Sequence, residues 1–223
     1  MKFAQYTLLA VLLAPGLAQA SPSGIWHFKV LLDGKPIGDH RFRVSRDGDT
    51  QQVAVDARFK VKILFVTVYS YRLEDREVWQ DGCLHEISSR TRVNGQNFSV
   101  EGTKSAGSLK LVHGSEDDAS VTPIAGCVMS FAYWDRSILR QNRLLNVQTG
   151  QYMKIRVDDL GQQAIDIQGR ETPAHRYRLR AETLDIDLWY GPGGDWLQLE
   201  SRIRGRTLKY ERLPTDMRVA SEP

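Results

Sequence analysis

Apolar and polar residues alternate with a period of two through most of this chain. That pattern restricts the fold to β-strands with one face buried. Val53, Val55, Ala57, Phe59 and Val61 alternate with Asp56, Arg58, Lys60 and Lys62. A helix would scatter those apolar residues around its circumference, whereas a strand gathers them on one face. Trp26, Phe28, Val30 and Leu32 repeat the pattern near the start, and Leu184, Ile186, Leu188 and Tyr190 near the end. Between such runs lie Asp33-Gly34, Asp81-Gly82 and Asn94-Gly95, dipeptides suited to tight hairpin turns. Helical spacing shows in one place only, where Phe131, Trp134 and Ile138 follow Ser130 as a candidate cap. The expected fold is mainly β: a single curved antiparallel meander sheet, half-barrel or open barrel, with one short covering helix near 131–140.

One run breaks the alternation. Ile63-Leu-Phe-Val-Thr-Val-Tyr69 is apolar on both faces. It reads as a strand covered on both sides, or else as an edge that meets a ligand or partner.

The N-terminus carries an address. Lys2 precedes the apolar run Thr7–Ala14, Pro15-Gly16 interrupts it, and Ala18-Gln19-Ala20 supplies small residues at a cleavage site. This is the layout of a secretory signal peptide, and the run is too short for a permanent membrane span. The expected organisation is a leader over 1–20, a β-rich domain over 21–214 and a disordered tail over 215–223. Cleavage near Ala20 would release the protein into the periplasm. No later stretch is long and apolar enough to be a transmembrane span. Cys83 and Cys127 are the only cysteines. An oxidising compartment favours a disulfide between them, worth roughly 3–4 kcal/mol in the chain-entropy model. Two separate buried thiols are the alternative.

Little in the sequence points to catalysis. Thirty basic and twenty-seven acidic residues give a net charge of +3, too even for a nucleic-acid binder. The histidines are scattered and the cysteines are not a C-x-x-C pair, so neither a metal nor a cofactor is expected. There is no G-x-S-x-G elbow, and no catalytic residue is assigned. Glu74-Asp75 and Glu77 stand beside Arg72 and Arg76 and read as a solvated, ion-paired edge. Arg176 and Arg178 alternate on one stretch, Arg202 and Arg204 on another, with Asp185 and Asp187 between them. Cross-strand ion pairing is the leading reading. The alternative is a surface for anions such as lipid head groups, which forked guanidinium donors suit.

Aromatic residues supply the other candidate site. Trp26, Phe28, Phe42, Phe59, Phe65, Tyr69, Phe131 and Trp134 are either plain core or the lining of a cleft for a lipid or acyl ligand.

Four motifs carry a resemblance that runs the length of the chain beyond the leader: Gly24-Ile-Trp-His-Phe-Lys-Val-Leu-Leu-Asp-Gly34 with Pro36–Phe42, then Phe59–Tyr71, Ser130-Phe-Ala-Tyr-Trp134, and Asp187–Leu197. In these the chain resembles an uncharacterised family of secreted proteobacterial β-proteins, known only as a domain of unknown function. In outline that family is similar to periplasmic half-barrels such as the lipoprotein carriers, where a curved sheet holds an acyl chain under a helical lid. That second likeness is architectural and does not fix function. The expectation is a non-catalytic periplasmic protein binding a hydrophobic or lipid-like ligand in a concave cleft. An envelope assembly protein with a protein partner is the alternative. A hydrolase of envelope polymers would need a constellation that the sequence does not offer.

Overall fold

The computed structural model describes residues 23–63, 66–115, 118–182, 184–203 and 205–214. The expected leader and tail lie outside these residues, as do Phe65 and Arg204.

Thirteen strands form one antiparallel sheet that is not closed. In chain order the first eight are β1 (Gly24–Leu32), β2 (Lys35–Asp47), β3 (Thr50–Ile63), β4 (Val66–Gln80), β5 (Cys83–Val93), β6 (Gln96–Ser105), β7 (Ser108–Ser115) and β8 (Asp118–Ala125). After a small hairpin, β9 (Arg143–Leu145) with β10 (Tyr152–Lys154), the sheet resumes. Its last strands are β11 (Arg156–Ile167), β12 (Arg170–Arg180), β13 (Asp185–Tyr190), β14 (Trp196–Ile203) and β15 (Arg206–Arg212). The first eight strands form one meander and the last five another. They join where β15 pairs with β1, Tyr210 opposite Val30. The turns follow the sequence: Asp33-Gly34, Asp81-Gly82 and Asn94-Gly95 all have both residues at positive φ, as a type I′ hairpin turn requires.

The inward face holds the core. Phe28, Val30, Phe42, Val53, Val55, Leu73, Trp79, Leu84, Leu109 and Leu188 are buried on it. One close approach needs a glycine. At Gly38 φ is +156°, and a Cβ there would lie 1.8 Å from the Arg58 carbonyl oxygen.

A strap crosses the inward face between β8 and β9. The Cys83–Cys127 disulfide anchors its start, and Leu84 N–H donates to Val128 O at 2.8 Å. Met129 O accepts from Leu145 N–H at 2.8 Å, and Trp134 packs edge-on against Trp79. The covering element expected near 131–140 is present, but its only helical part is a 3-10 turn, Arg136–Arg140. A longer α-helix would need the Tyr133 carbonyl for the Ser137 N–H. Instead the Tyr190 hydroxyl donates to Tyr133 O at 2.9 Å, and Ser137 N–H donates to the capping Asp135 carboxylate at 2.8 Å. Tertiary bonds thus outbid helical ones, and the cap is Asp135 rather than Ser130.

Of the run at 63–69, Leu64 and Phe65 lie outside the described residues, and residues 66–69 are exposed rather than covered. Ile63 pairs with Val66 at the end of the β3–β4 ladder, and Val66 and Val68 are 66% and 48% exposed.

Candidate functional site

A cavity of about 220 Å³ lies between the strap and the inward face of β2, β3 and β4. Period two explains its walls. On β4, Leu73, Asp75, Glu77 and Trp79 point inward and are all buried. Arg72, Glu74 and Arg76 point outward, where Arg72 pairs with Glu74 and Arg76 with Asp56. The expected solvated edge is therefore only half of the cluster. Asp75 and Glu77 sit in the interior, side by side on one strand.

These two carboxyls are perturbed by the same cause. Burial pushes Glu77 up to about 7, against hydrogen bonds from Trp79 and Ser130. Burial also pushes Asp75 well above the usual carboxylate range, and the neighbouring Glu77 adds to the rise. Glu77 accepts from the Trp79 indole N–H at 2.8 Å, while Oδ1 of Asp75 has no hydrogen-bond partner. Across the wall, His40 on β2 is buried and held down to about 3 by desolvation. Its Nδ1 lies 3.0 Å from the Tyr210 hydroxyl, and its Nε2 has no partner. Buried polar atoms are normally paired. With Glu77 Oε1, three unpaired atoms belong to the lining of one cavity, the kind of local violation that concentrates at functional sites.

The remaining lining is apolar. Phe42, Val55, Phe59, Phe131, Ala132, Trp134 and Ile186 contribute to it. Tyr71 stacks on Phe59 with ring centroids 5.2 Å apart. Of the eight aromatic residues singled out from sequence, Phe42, Phe59, Phe131 and Trp134 line the cavity. Trp26 and Phe28 are core instead: Trp26 donates to Asp195 at 2.9 Å, and Phe28 packs on Trp196 at 4.3 Å. Tyr69 is exposed on the β3–β4 hairpin. Sequence reasoning missed Asp75, Glu77 and His40. The signal was available, since each alternates in phase with apolar neighbours known to face inward.

A larger hollow, about 720 Å³, opens on the other face and is lined by Arg43, Arg76, Glu86, Ser88 and Glu101. Several of its polar groups are paired: Arg43 and Arg76 both pair with Asp56, at 2.8 and 3.1 Å, and Ser88 donates to Glu101 at 3.0 Å. Glu77 borders both spaces, while Asp75 and His40 line the inner cavity only.

The arginines of the outer face are engaged. Asp187 accepts from Arg176 and from Arg178, and Arg180 pairs with Asp158 at 2.6 Å. Burial alone would raise the Asp187 pKa, but the hydrogen bonds from Arg178 and Arg176 outweigh it and hold the carboxyl low. Arg202 is exposed and borders the same patch. The cross-strand ion pairing read from sequence is thus present. Among the described residues no group of three or more His, Cys, Asp or Glu side chains is placed to hold a metal. No described helix is long and apolar enough to cross a membrane.

A family model described as a domain of unknown function, DUF6134, matches residues 28–213. No curated protein matches the chain. Among solved structures the chain is similar to a β-barrel-like protein of the domain of unknown function DUF1849 from Brucella abortus. The TM-score is 0.63 at 9% identity, over 85% of this chain and 94% of the other. At that identity the likeness concerns the fold.

Proposed function

The chain belongs to the DUF6134 family, whose function is unknown, and on that premise we propose that it is a non-catalytic binding protein of the periplasm. Its ligand is a small amphiphile held in the cavity under the strap. The observation that carries this reading is the pairing of an apolar wall with buried, unpaired polar atoms, Asp75 Oδ1 and His40 Nε2. An apolar pocket with a few convergent polar groups is the usual form of a small-molecule site.

Size sets the ligand class. At about 30 Å³ per water-sized group, 220 Å³ admits about seven non-hydrogen atoms. That is a short chain, or one end of a longer one. The carboxyls set the head group. Asp75 and Glu77 hold protons more tightly than ordinary acids do. The carbonyl oxygen of a protonated carboxyl accepts from a neutral hydroxyl or an ammonium, whereas a carboxylate head brings negative charge into a site where burial already disfavours it.

The geometry favours binding over hydrolysis. Glycoside hydrolysis uses two carboxylates flanking a scissile bond, and Asp75 and Glu77 stand together on one wall. The leader pattern of the first twenty residues supports export. The test is mass spectrometry of small molecules released on denaturing the purified protein, with Phe131→Ala/Phe59→Ala alongside. A short amphiphile released by the wild type and lost from the variant is expected. An empty wild-type protein that also fails to take up added hexanol or hexylamine would count against the reading.

A further inference from the structure

The β3–β4 hairpin extends past its neighbours. Pairing of β2 with β3 stops at Gly38 opposite Phe59. Pairing of β4 with β5 stops at Tyr71 opposite Val93. Beyond those points residues 60–63 and 66–69 pair only with each other in the ladder. A two-stranded ribbon is marginal in water unless something covers it. This one exposes Val66 at 66%, Val68 at 48% and Tyr69 at 36%. They are three of the six large apolar residues exposed among the described residues.

Charge selects the cover. Lys60 and Lys62 are exposed on the ribbon, and Arg58 stands at its base. Residues 60–69 contain no acidic residue. Ile63 opposite Val66 leaves two residues between the strands, and in the sequence they are Leu64 and Phe65, where other hairpins of this chain use Asp-Gly or Asn-Gly. We propose that the β3–β4 ribbon docks on an anionic lipid surface, seating Val66, Val68 and Tyr69 at the acyl boundary while Lys60 and Lys62 meet the phosphates. Val66, Val68 and Tyr69 on one strand are flanked across the ladder by Lys62, opposite Thr67, and Lys60, opposite Ser70, and apolar residues flanked by snorkelling lysines are the distribution that interfacial membrane anchors use. Juxtaposed lysines add attraction to anionic leaflets that salt screens. The proposal stands apart from the cavity reading, because no residue of the ribbon beyond Tyr71 lines that cavity.

The test is vesicle co-sedimentation of the protein from cells expressing the full chain. Vesicles of phosphatidylethanolamine with phosphatidylglycerol are compared with phosphatidylcholine alone. The same chain serves throughout, so any leader contribution is constant. Binding to the phosphatidylglycerol vesicles is expected, weakening in high salt. Val66→Ser/Val68→Ser lowers the partition coefficient at least tenfold. Lys60→Gln/Lys62→Gln lowers it about fivefold per lysine on anionic vesicles and leaves phosphatidylcholine unchanged. Unaltered thermal melting shows that each variant is folded. A Tyr69→Trp variant reports insertion through a blue shift, on adding anionic vesicles, of the emission it adds to that of the five native tryptophans, read as the difference from wild type. Equal partitioning of wild type and both double variants overturns the proposal. So does concentration-dependent dimerisation that the valine variant abolishes without any effect on vesicles.

Discussion

Nδ1 of His40, on the second strand, lies 3.0 Å from the hydroxyl of Tyr210, on the last. The two residues flank β1, the strand that joins the two meanders. The contact therefore ties the cavity wall to the seam where the two meanders join. It also leaves His40 Nε2 facing the interior unpaired, in a ring held neutral by burial.

The neutral imidazole makes the protein acid-sensitive. His40 is held near 3 when folded, against about 6.5 when unfolded. Its depressed pKa means the unfolded state gains a proton first, so stability falls as pH drops from about 6.5 towards 3. His40→Asn retains a partner for Tyr210 and removes the titration. Urea midpoints measured from pH 3.5 to 6.5 should fall less steeply for the variant than for the wild type. Parallel profiles would show that His40 is not the group involved.

Glu77 acts in the opposite sense. Its folded pKa of about 7 lies above the ordinary 4.5. The folded state then holds the proton longer, and stability is lost as pH rises from about 4.5 through 7. Asp75, raised for the same reason, extends the loss upward. Glu77→Gln keeps an oxygen for the Trp79 indole. It should leave stability nearly unchanged at pH 4 and raise it at pH 8. A variant less stable than wild type at pH 8 would refute the assignment.

The disulfide holds the strap over the cavity. Cys83 and Cys127 are 44 residues apart, a loop whose closure is worth about 4 kcal/mol in the chain-entropy model. Cys83→Ser/Cys127→Ser should lower the unfolding free energy by an amount of that order. It should also speed hydrogen exchange at the Leu84 amide, which bonds to Val128. Slow exchange there in the variant would mean that the strap is held without the bond.

Gly38 tests the register of the first hairpins. A Cβ at this position meets the Arg58 carbonyl oxygen at 1.8 Å, and backbone cannot yield as a side chain does. Gly38→Ala is expected to cost about 3 kcal/mol or more, read from denaturant midpoints. Gly34→Asn, in an open turn with nothing near its Cβ, should cost less than about 1 kcal/mol. Equal effects would contradict the register.

Most of the sheet was legible from alternation and turn dipeptides, because both are local. Phe28, Phe42 and Phe59 face inward as their phase demands, and the sheet stays unclosed as expected. What local pattern concealed was decided by distant partners. The Ser130–Trp134 segment has helical spacing, yet Tyr190 takes the Tyr133 carbonyl from across the fold. Ile63–Tyr69 is apolar enough for a covered strand, but β2 and β5 end before reaching it. For Asp75 and Glu77, proximity to arginines in sequence suggested ion pairs. The strand pleat sends those arginines to the opposite face. Phase was the stronger guide there, and charge the weaker.

In the proposed function the buried acids of β4 select the head group of a short amphiphile. Isothermal titration at pH 7 with hexan-1-ol, hexylamine and hexanoate tests it most directly, on wild type and Asp75→Asn/Glu77→Gln. Hexanol and hexylamine are expected to bind more tightly than hexanoate. Hexylamine affinity should rise with pH as Glu77 ionises, and the double variant should lose the preference for the amine. Tighter binding of hexanoate, or no binding of any of the three, would contradict it.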